Sequence, residues 1–131
     1  ISDDSGLCVD YLNGAPGIYS SRYSGENATD SSNIDKLLEE MKYVEKEKRT
    51  AYFISVVSIA FPDGKIRSFR GEVKGEILFE RDGNNGFGYD PIFFSYELGK
   101  SFGQSSLDEK KSVSHRGRAF NKLKSEILDK I

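Results

Sequence analysis

Two short segments of this chain hold residue types that can do chemistry: GFGYDP at 86–91 and SHRGRA at 114–119. The second reads as a helix start, with Ser114 as N-cap and an apolar stripe of Phe120, Leu123, Ile127 and Ile131 behind it at helical spacing. Its first two helical positions are His115 and Arg116, and Lys110 and Lys111 lie just upstream. A helix N-terminus already carries partial positive charge, so a basic cluster there costs roughly a few tenths of a kcal/mol. Local violations of that kind concentrate at functional sites. Free backbone N–H groups together with Lys, Arg and His suit the oxygens of an anionic or carbonyl-bearing ligand.

The individual residues suggest a division of labour. Arg116 offers fixed N–H donors for a keto oxygen and a ring acceptor, while Lys110 supplies a point charge for phosphate. His115, the sole histidine, can donate or accept near neutral pH. In the loop GNNGFGYDP, Gly83, Gly86 and Gly88 let a ligand approach the backbone closely. Phe87 and Tyr89 flank Gly88, and an aromatic face stacked on a planar base is worth about 1–3 kcal/mol. Asp90 precedes Pro91, which predicts an extended backbone, and its carboxylate could accept from a ring N–H. The same loop also reads as a plain strand-to-strand turn carrying two core aromatics.

A third segment, Asp3-Asp4-Ser5-Gly6, sets two carboxylates side by side. Their repulsion would be relieved by Mg²⁺, which is commonly held by one or two carboxylates plus substrate phosphates. A carboxylate there could also orient or deprotonate an attacking water. The alternative is a turn closed by an Asx hydrogen bond. Ser5, His115 and Asp4 form a triad only on paper, because no nucleophile-elbow context surrounds Ser5. No Walker A pattern, zinc-spaced Cys/His set or dinucleotide fingerprint is present. Acidic metal ligands, a stacking loop and a basic anion site in one small chain match a nucleotide.

The elements that must position these groups follow from periodicity. A helix is expected from Thr29 or Asp30, with Ile34, Leu37, Leu38, Met41 and Val44 as its buried stripe and the charged run EKEKR as its solvated end. Residues 51–61 are apolar in both alternation sets, which predicts a central strand covered on both faces. A tight turn at Pro62-Asp63-Gly64-Lys65 leads into an antiparallel partner. That partner buries Phe69, Val73, Ile77 and Phe79 and exposes Arg70, Glu72, Lys74 and Glu76. A short strand at 92–94 and a short helix near 106–111 precede the final helix.

At 131 residues the chain fits a single domain, 1–131, of mixed α/β class. Net charge is −2, so no basic field supports nucleic-acid binding. The one cysteine, Cys8, sits in an apolar run as a packed thiol and excludes an internal disulfide framework, which suits a reducing cytosol. No apolar run approaches ~18 residues, so neither a membrane span nor a signal peptide is expected. The chain opens at Ile1 without a methionine, on what reads as the end of a buried strand; a segment upstream is therefore expected.

Taken in order, DDSGLCVDYLNGAPGIYSSRYSG, RTAYF, NGFGYDPIFF and EKKSVSHRGRA resemble the signature segments of the Ham1/inosine triphosphatase family, the deaminated-purine nucleoside triphosphate pyrophosphatases. The resemblance implies a strongly twisted central sheet flanked by helices, a cytoplasmic homodimer, and Mg²⁺-dependent hydrolysis of ITP, dITP and XTP to monophosphate plus pyrophosphate. By resemblance, Asp4 is the metal-linked catalytic carboxylate and Ser5 a substrate contact. Phe87, Gly88, Tyr89 and Asp90 form the base pocket, Lys110, His115 and Arg116 are further substrate contacts, and 19–23 lies near the dimer contact. The family's opening Ser/Thr-x-Asn-x-x-Lys phosphate loop has no counterpart in these residues, and Gln104 stands where many members have Glu. The chain thus reads as an N-terminally truncated form, the C-terminal two thirds of the family fold, expected to hydrolyse slowly by itself and to present an open sheet edge. The competing expectation is a non-catalytic homologue that dimerises or binds nucleotides.

Overall fold

The computed structural model describes residues 2–129, with side chains for residues 4–126. Ile131 and the side chain of Ile127, both expected on the final helix's stripe, lie outside the described residues. Among those described, six strands make one sheet in the order β2-β1-β3-β4-β5-β6. They are β1 Ser2–Val9, β2 Pro16–Gly17, β3 Thr50–Ala60, β4 Ile66–Ile77, β5 Phe93–Ser95 and β6 Lys100–Ser101. Every neighbouring pair is antiparallel. The α-helices are α1 Asp30–Glu40, α2 Leu107–Ser112 and α3 His115–Asp129.

The β3–β4 hairpin is the frame, in register from Thr50↔Glu76 to Ala60↔Ile66. Its turn falls where the sequence predicts it: Phe61 N–H donates to Lys65 O at 2.8 Å and Gly64 N–H to Phe61 O at 3.0 Å. β1 lies on the other side of β3, from Ser2↔Ser58 to Val9↔Ala51. The Asp3–Gly6 segment is therefore strand, where an Asx turn was one expectation. The long β3 template offers a backbone partner at each of these positions, and that outweighs local turn preference. β2 pairs with β1 only at Leu7 and Cys8, so among the described residues the first half of β1 has no second strand beside it.

Alternation along the strands sorts the core. Leu7, Val9, Ala51, Val73 and Ile77 pack with Ile34 and Leu37 of α1, with Met41, Val44 and Val113, and with Tyr89, Ile92, Phe93 and Phe102. A second cluster joins Val57 to Ala119 and Leu123 of α3. Both clusters use the same sheet face. On the other face Tyr52, Ile54 and Val56 are only half-buried, so the expectation that β3 is covered on both sides is corrected for the described residues. Phe79 is likewise corrected: it lies past the end of β4 and is 58% exposed.

α1 starts as predicted, with a reciprocal capping box between Thr29 and Ser32. Its end differs. The helix stops at Glu40, and Arg49, expected to be solvated, is 1% exposed. Its guanidinium donates to the carbonyls of Met41, Val44, Ile77 and Leu78, and the Phe79 ring lies 4.0 Å from it. Four backbone acceptors converge here, three of them in fully buried bonds, and a planar fork of donors serves them together.

The predicted stripe of α3 holds at Leu123 but not at Phe120, whose place is taken by Ala119. Ala119 and Leu123 are buried, while Phe120 is 40% exposed. The cause is the close seat of α3 on β4 at Gly71, where a Cβ would lie 2.1 Å from His115 O and 2.5 Å from Ala119 N. Only small residues fit there, so Ala119 faces the sheet. Ser114 is the N-cap, its Oγ accepting from Gly117 N–H at 3.1 Å. Gly71→Ala should therefore destabilise the fold by about 2 kcal/mol or more through overpacking against helix backbone. A urea midpoint unchanged by that substitution would show that α3 does not rest on β4 at this point.

Candidate active site

A cavity of about 500 Å³ opens between the sheet, the loop before α1, the 86–90 loop and the start of α3. Ser5, Phe87, Gly88, Tyr89, Asp90, Lys110, His115 and Arg116 all line it. Asp4 does not: it is exposed on β1 beside Ser5, in register with Val56. Residues that the sequence did not single out complete the wall, among them Asp30, Asn33, Phe53 and Phe102, and Lys111 of the basic cluster joins them. Asn33 left a trace in the sequence, because it interrupts the buried stripe of α1 with an amide. That amide organises the preceding loop, donating to Ser20 O and Ser21 O and accepting from Ser24 N–H. Asp30, Phe53 and Phe102 look like ordinary helix-start and core residues in the chain.

Asp90 is the centre of the loop end of the cavity. It opens a 3-10 turn, Asp90–Ile92, where an extended lead-in to Pro91 was expected. Its carboxylate, 3% exposed as a residue, accepts from Lys110 Nζ and from Phe87 N–H at 3.1 Å. That backbone contact three residues back is what favours the tight turn over the extended form. Burial pushes the Asp90 carboxyl above the usual carboxylate range, and the hydrogen bond and charge of Lys110 oppose it.

The aromatic groups fall into two kinds. Tyr89 is 4% exposed, its hydroxyl donating to Ser20 O at 2.6 Å, and burial with the nearby Asp30 charge pushes its phenol up. Phe87 is 75% exposed, with the Lys110 ammonium 4.1 Å from its ring centroid. Behind it the His115 ring stacks on Phe53 at 5.4 Å and 18°, and Phe53 on Phe102 at 5.8 Å and 15°. The arrangement is an aromatic-walled slot with Lys110, Lys111, His115 and Arg116 along one side. Such a slot accepts a flat heterocycle with acceptor oxygens and an anionic tail. Gln104 stands outside the lining, donating to Asp82 Oδ1 at 2.9 Å.

The profile of the Ham1 family matches residues 1–126. This chain belongs to the Ham1 family. It is 55% identical over 126 residues to a dITP/XTP pyrophosphatase of Desulfotalea psychrophila, covering 96% of this chain and 56% of that protein. A Clostridium perfringens dITP/XTP pyrophosphatase is 52% identical over 127 residues, covering 97% of this chain and 62% of that protein. The chain thus spans less than two thirds of the length of these relatives. Among solved structures, the Staphylococcus aureus Ham1 protein superposes with a TM-score of 0.92 at 46% identity, over 98% of this chain and 66% of that one. The mixed α/β fold expected for a Ham1 chain is the one observed.

Removing Lys110 should strand the Asp90 charge. Because burial raises Asp90's proton affinity, the folded chain holds that proton more readily than the unfolded chain. The group's contribution to stability therefore falls as pH rises past the unfolded value. Lys110→Ala should cost about 2–3 kcal/mol near neutrality, as expected when a largely buried pair loses one member. The loss should shrink as pH is lowered from neutral into the acid range and Asp90 takes its proton. Adding Asp90→Asn should recover part of it. Denaturant unfolding at neutral and at acid pH decides, and a loss that grows towards acid would refute the pairing.

Proposed function

We propose that this chain belongs to a nucleoside triphosphate pyrophosphatase that hydrolyses deaminated purine nucleotides (ITP, dITP and XTP) to the monophosphate and pyrophosphate. The observation that carries the reading is the slot itself: Phe87, Phe53 and Phe102 supply apolar walls, and Lys111, His115 and Arg116 supply donors at its edge. The purine stacks on Phe87. Arg116 reads the 6-keto oxygen, since a guanidinium only donates and is mismatched to the amino group of adenine. Lys110 is already committed to Asp90, so its part is to hold the base end rather than to neutralise phosphate alone. Ser5, whose hydroxyl donates to Ser55 Oγ at 3.2 Å, and Gly88 contact substrate from the sheet and the loop.

Among the described residues there is no group of three or more His, Cys, Asp or Glu fit to hold a metal. The single exposed carboxylate of Asp4 suits an ion that takes its other ligands from substrate phosphates and water, as Mg²⁺ does, rather than a caged resident ion. Asp4 would hold that ion, which would polarise the reacting phosphate, and would orient the attacking water. A homodimer through 19–23, where Tyr19 is 57% exposed, and a cytoplasmic location complete the proposal. None of the described helices is long and apolar enough to cross a membrane.

A second reading, a nucleotide-binding module without hydrolysis, draws on the position of Asp4 outside the cavity lining. The two separate in one assay. Incubated with ITP and Mg²⁺, the protein should release pyrophosphate and no orthophosphate. Asp4→Asn should lower kcat by about 10²-fold or more if that carboxylate serves both metal and water. Binding of ITP without any pyrophosphate would select the module. Arg116→Ala should lose more kcat/KM for ITP than for ATP; equal losses would move base selection to 87–90.

A further inference from the structure

The stacking wall of this site has an unusual anchor. Phe87 stands between Gly86 and Gly88, whose φ values are +76° and +59°. A Cβ at Gly86 would meet the Asp90 carboxylate at 2.1 Å, whereas one at Gly88 would meet nothing within 4 Å. At Gly88 the left-handed backbone conformation, rather than close packing, is what calls for glycine. Since the ring is 75% exposed, packing does little to fix it, and its place over the cavity depends on how the backbone is held.

Successive amides of this loop are held by carboxylates from different parts of the chain. Asp90 takes the Phe87 N–H from within the loop. The Gly88 N–H donates instead to Asp30 Oδ2 at 2.9 Å, from 58 residues away. Asp30 is a firm support. It is the first residue of α1, directly after the Thr29 capping box. The same helix turn is tied to the strand-to-loop segment by Arg81, which donates to Asp35 Oδ1 at 2.8 Å and to Ser31.

We propose that Asp30 is a positioning residue: it clasps the Gly88 amide so that the Phe87 ring stands where a purine base stacks. This rests on the nucleotide reading of the cavity. Asp30 itself lines the cavity, so a direct contact with ligand is the competing role, and a double-mutant cycle separates the two.

ITP and inorganic tripolyphosphate would be titrated calorimetrically into the whole chain and into Asp30→Ala, Phe87→Ala and the double variant. Asp30→Ala should weaken ITP about fivefold, the scale of one lost hydrogen bond of ordinary strength, and leave tripolyphosphate unchanged. In the Phe87→Ala background it should add nothing, and Asp30→Asn, which keeps a carbonyl acceptor, should recover most of the loss. Additive losses would assign Asp30 to the ligand directly, and an equal loss for tripolyphosphate would assign it to the phosphates or the fold; either overturns the proposal. Without ligand, Asp30→Ala should speed hydrogen exchange at the Gly88 amide, and unchanged exchange overturns it as well. Failure of the unsubstituted chain to bind ITP would instead sink the nucleotide reading, while the exchange result still decides whether Asp30 holds the loop.

Discussion

The buried carboxylate of Asp90 is the contact on which the site depends. It accepts from the backbone of Phe87 and from the ammonium of Lys110, and so joins the glycine-rich loop to α2. Desolvation favours the protonated acid, and the hydrogen bond and charge of Lys110 oppose it. The ammonium in turn is placed by local chemistry at the start of α2. Ser106 Oγ accepts from Glu109 N–H at 3.1 Å while Glu109 Oε1 accepts from Ser106 N–H at 2.9 Å, so the first turn is closed and Lys110 follows it. Three residues after Lys110 the chain reaches buried Val113 and then the Ser114 cap of α3, which presents His115 and Arg116.

The rest of the fold supplies rigidity to that arrangement. Gly71 lets α3 rest its backbone on β4, and this sets the depth at which His115 stacks on Phe53. At the far end Arg49 ties the carbonyls after α1 to those at the end of β4. The planar fork reaches all four carbonyls at once, which a lysine with its single ammonium could not span. α1 is thereby fixed to the sheet, and with it Asp30 and Asn33 on the cavity wall. Both constraints act through backbone geometry rather than through apolar area.

Likeness to dITP/XTP pyrophosphatases and the shape of the slot agree in kind. Phe87 leaves its ring exposed on the cavity wall beside a cation. Tyr89, two residues on, turns inward and spends its hydroxyl on the Ser20 carbonyl. The two aromatics of one motif thus divide into an exposed ring on the cavity wall and a brace for the loop.

Local chemistry by itself determined the helix starts at Thr29, Ser106 and Ser114, the Pro62–Lys65 turn and the β3–β4 hairpin, because caps and turns are closed by residues within a few positions. It also marked the 86–90 and 110–116 segments, whose glycines and crowded positive charges conflict with plain structure. Tertiary structure decided the rest. Asp3–Gly6 became strand because β3 offers a full row of backbone partners. Arg49 went inside because four distant carbonyls converge on it. α3 turned Ala119 instead of Phe120 to the sheet because Gly71 leaves no room for more. Asp30 is held on the cavity wall by a contact 58 residues away and Asn33 by loop groups 9–13 residues back, distances over which neither periodicity nor composition carries any trace of the partner.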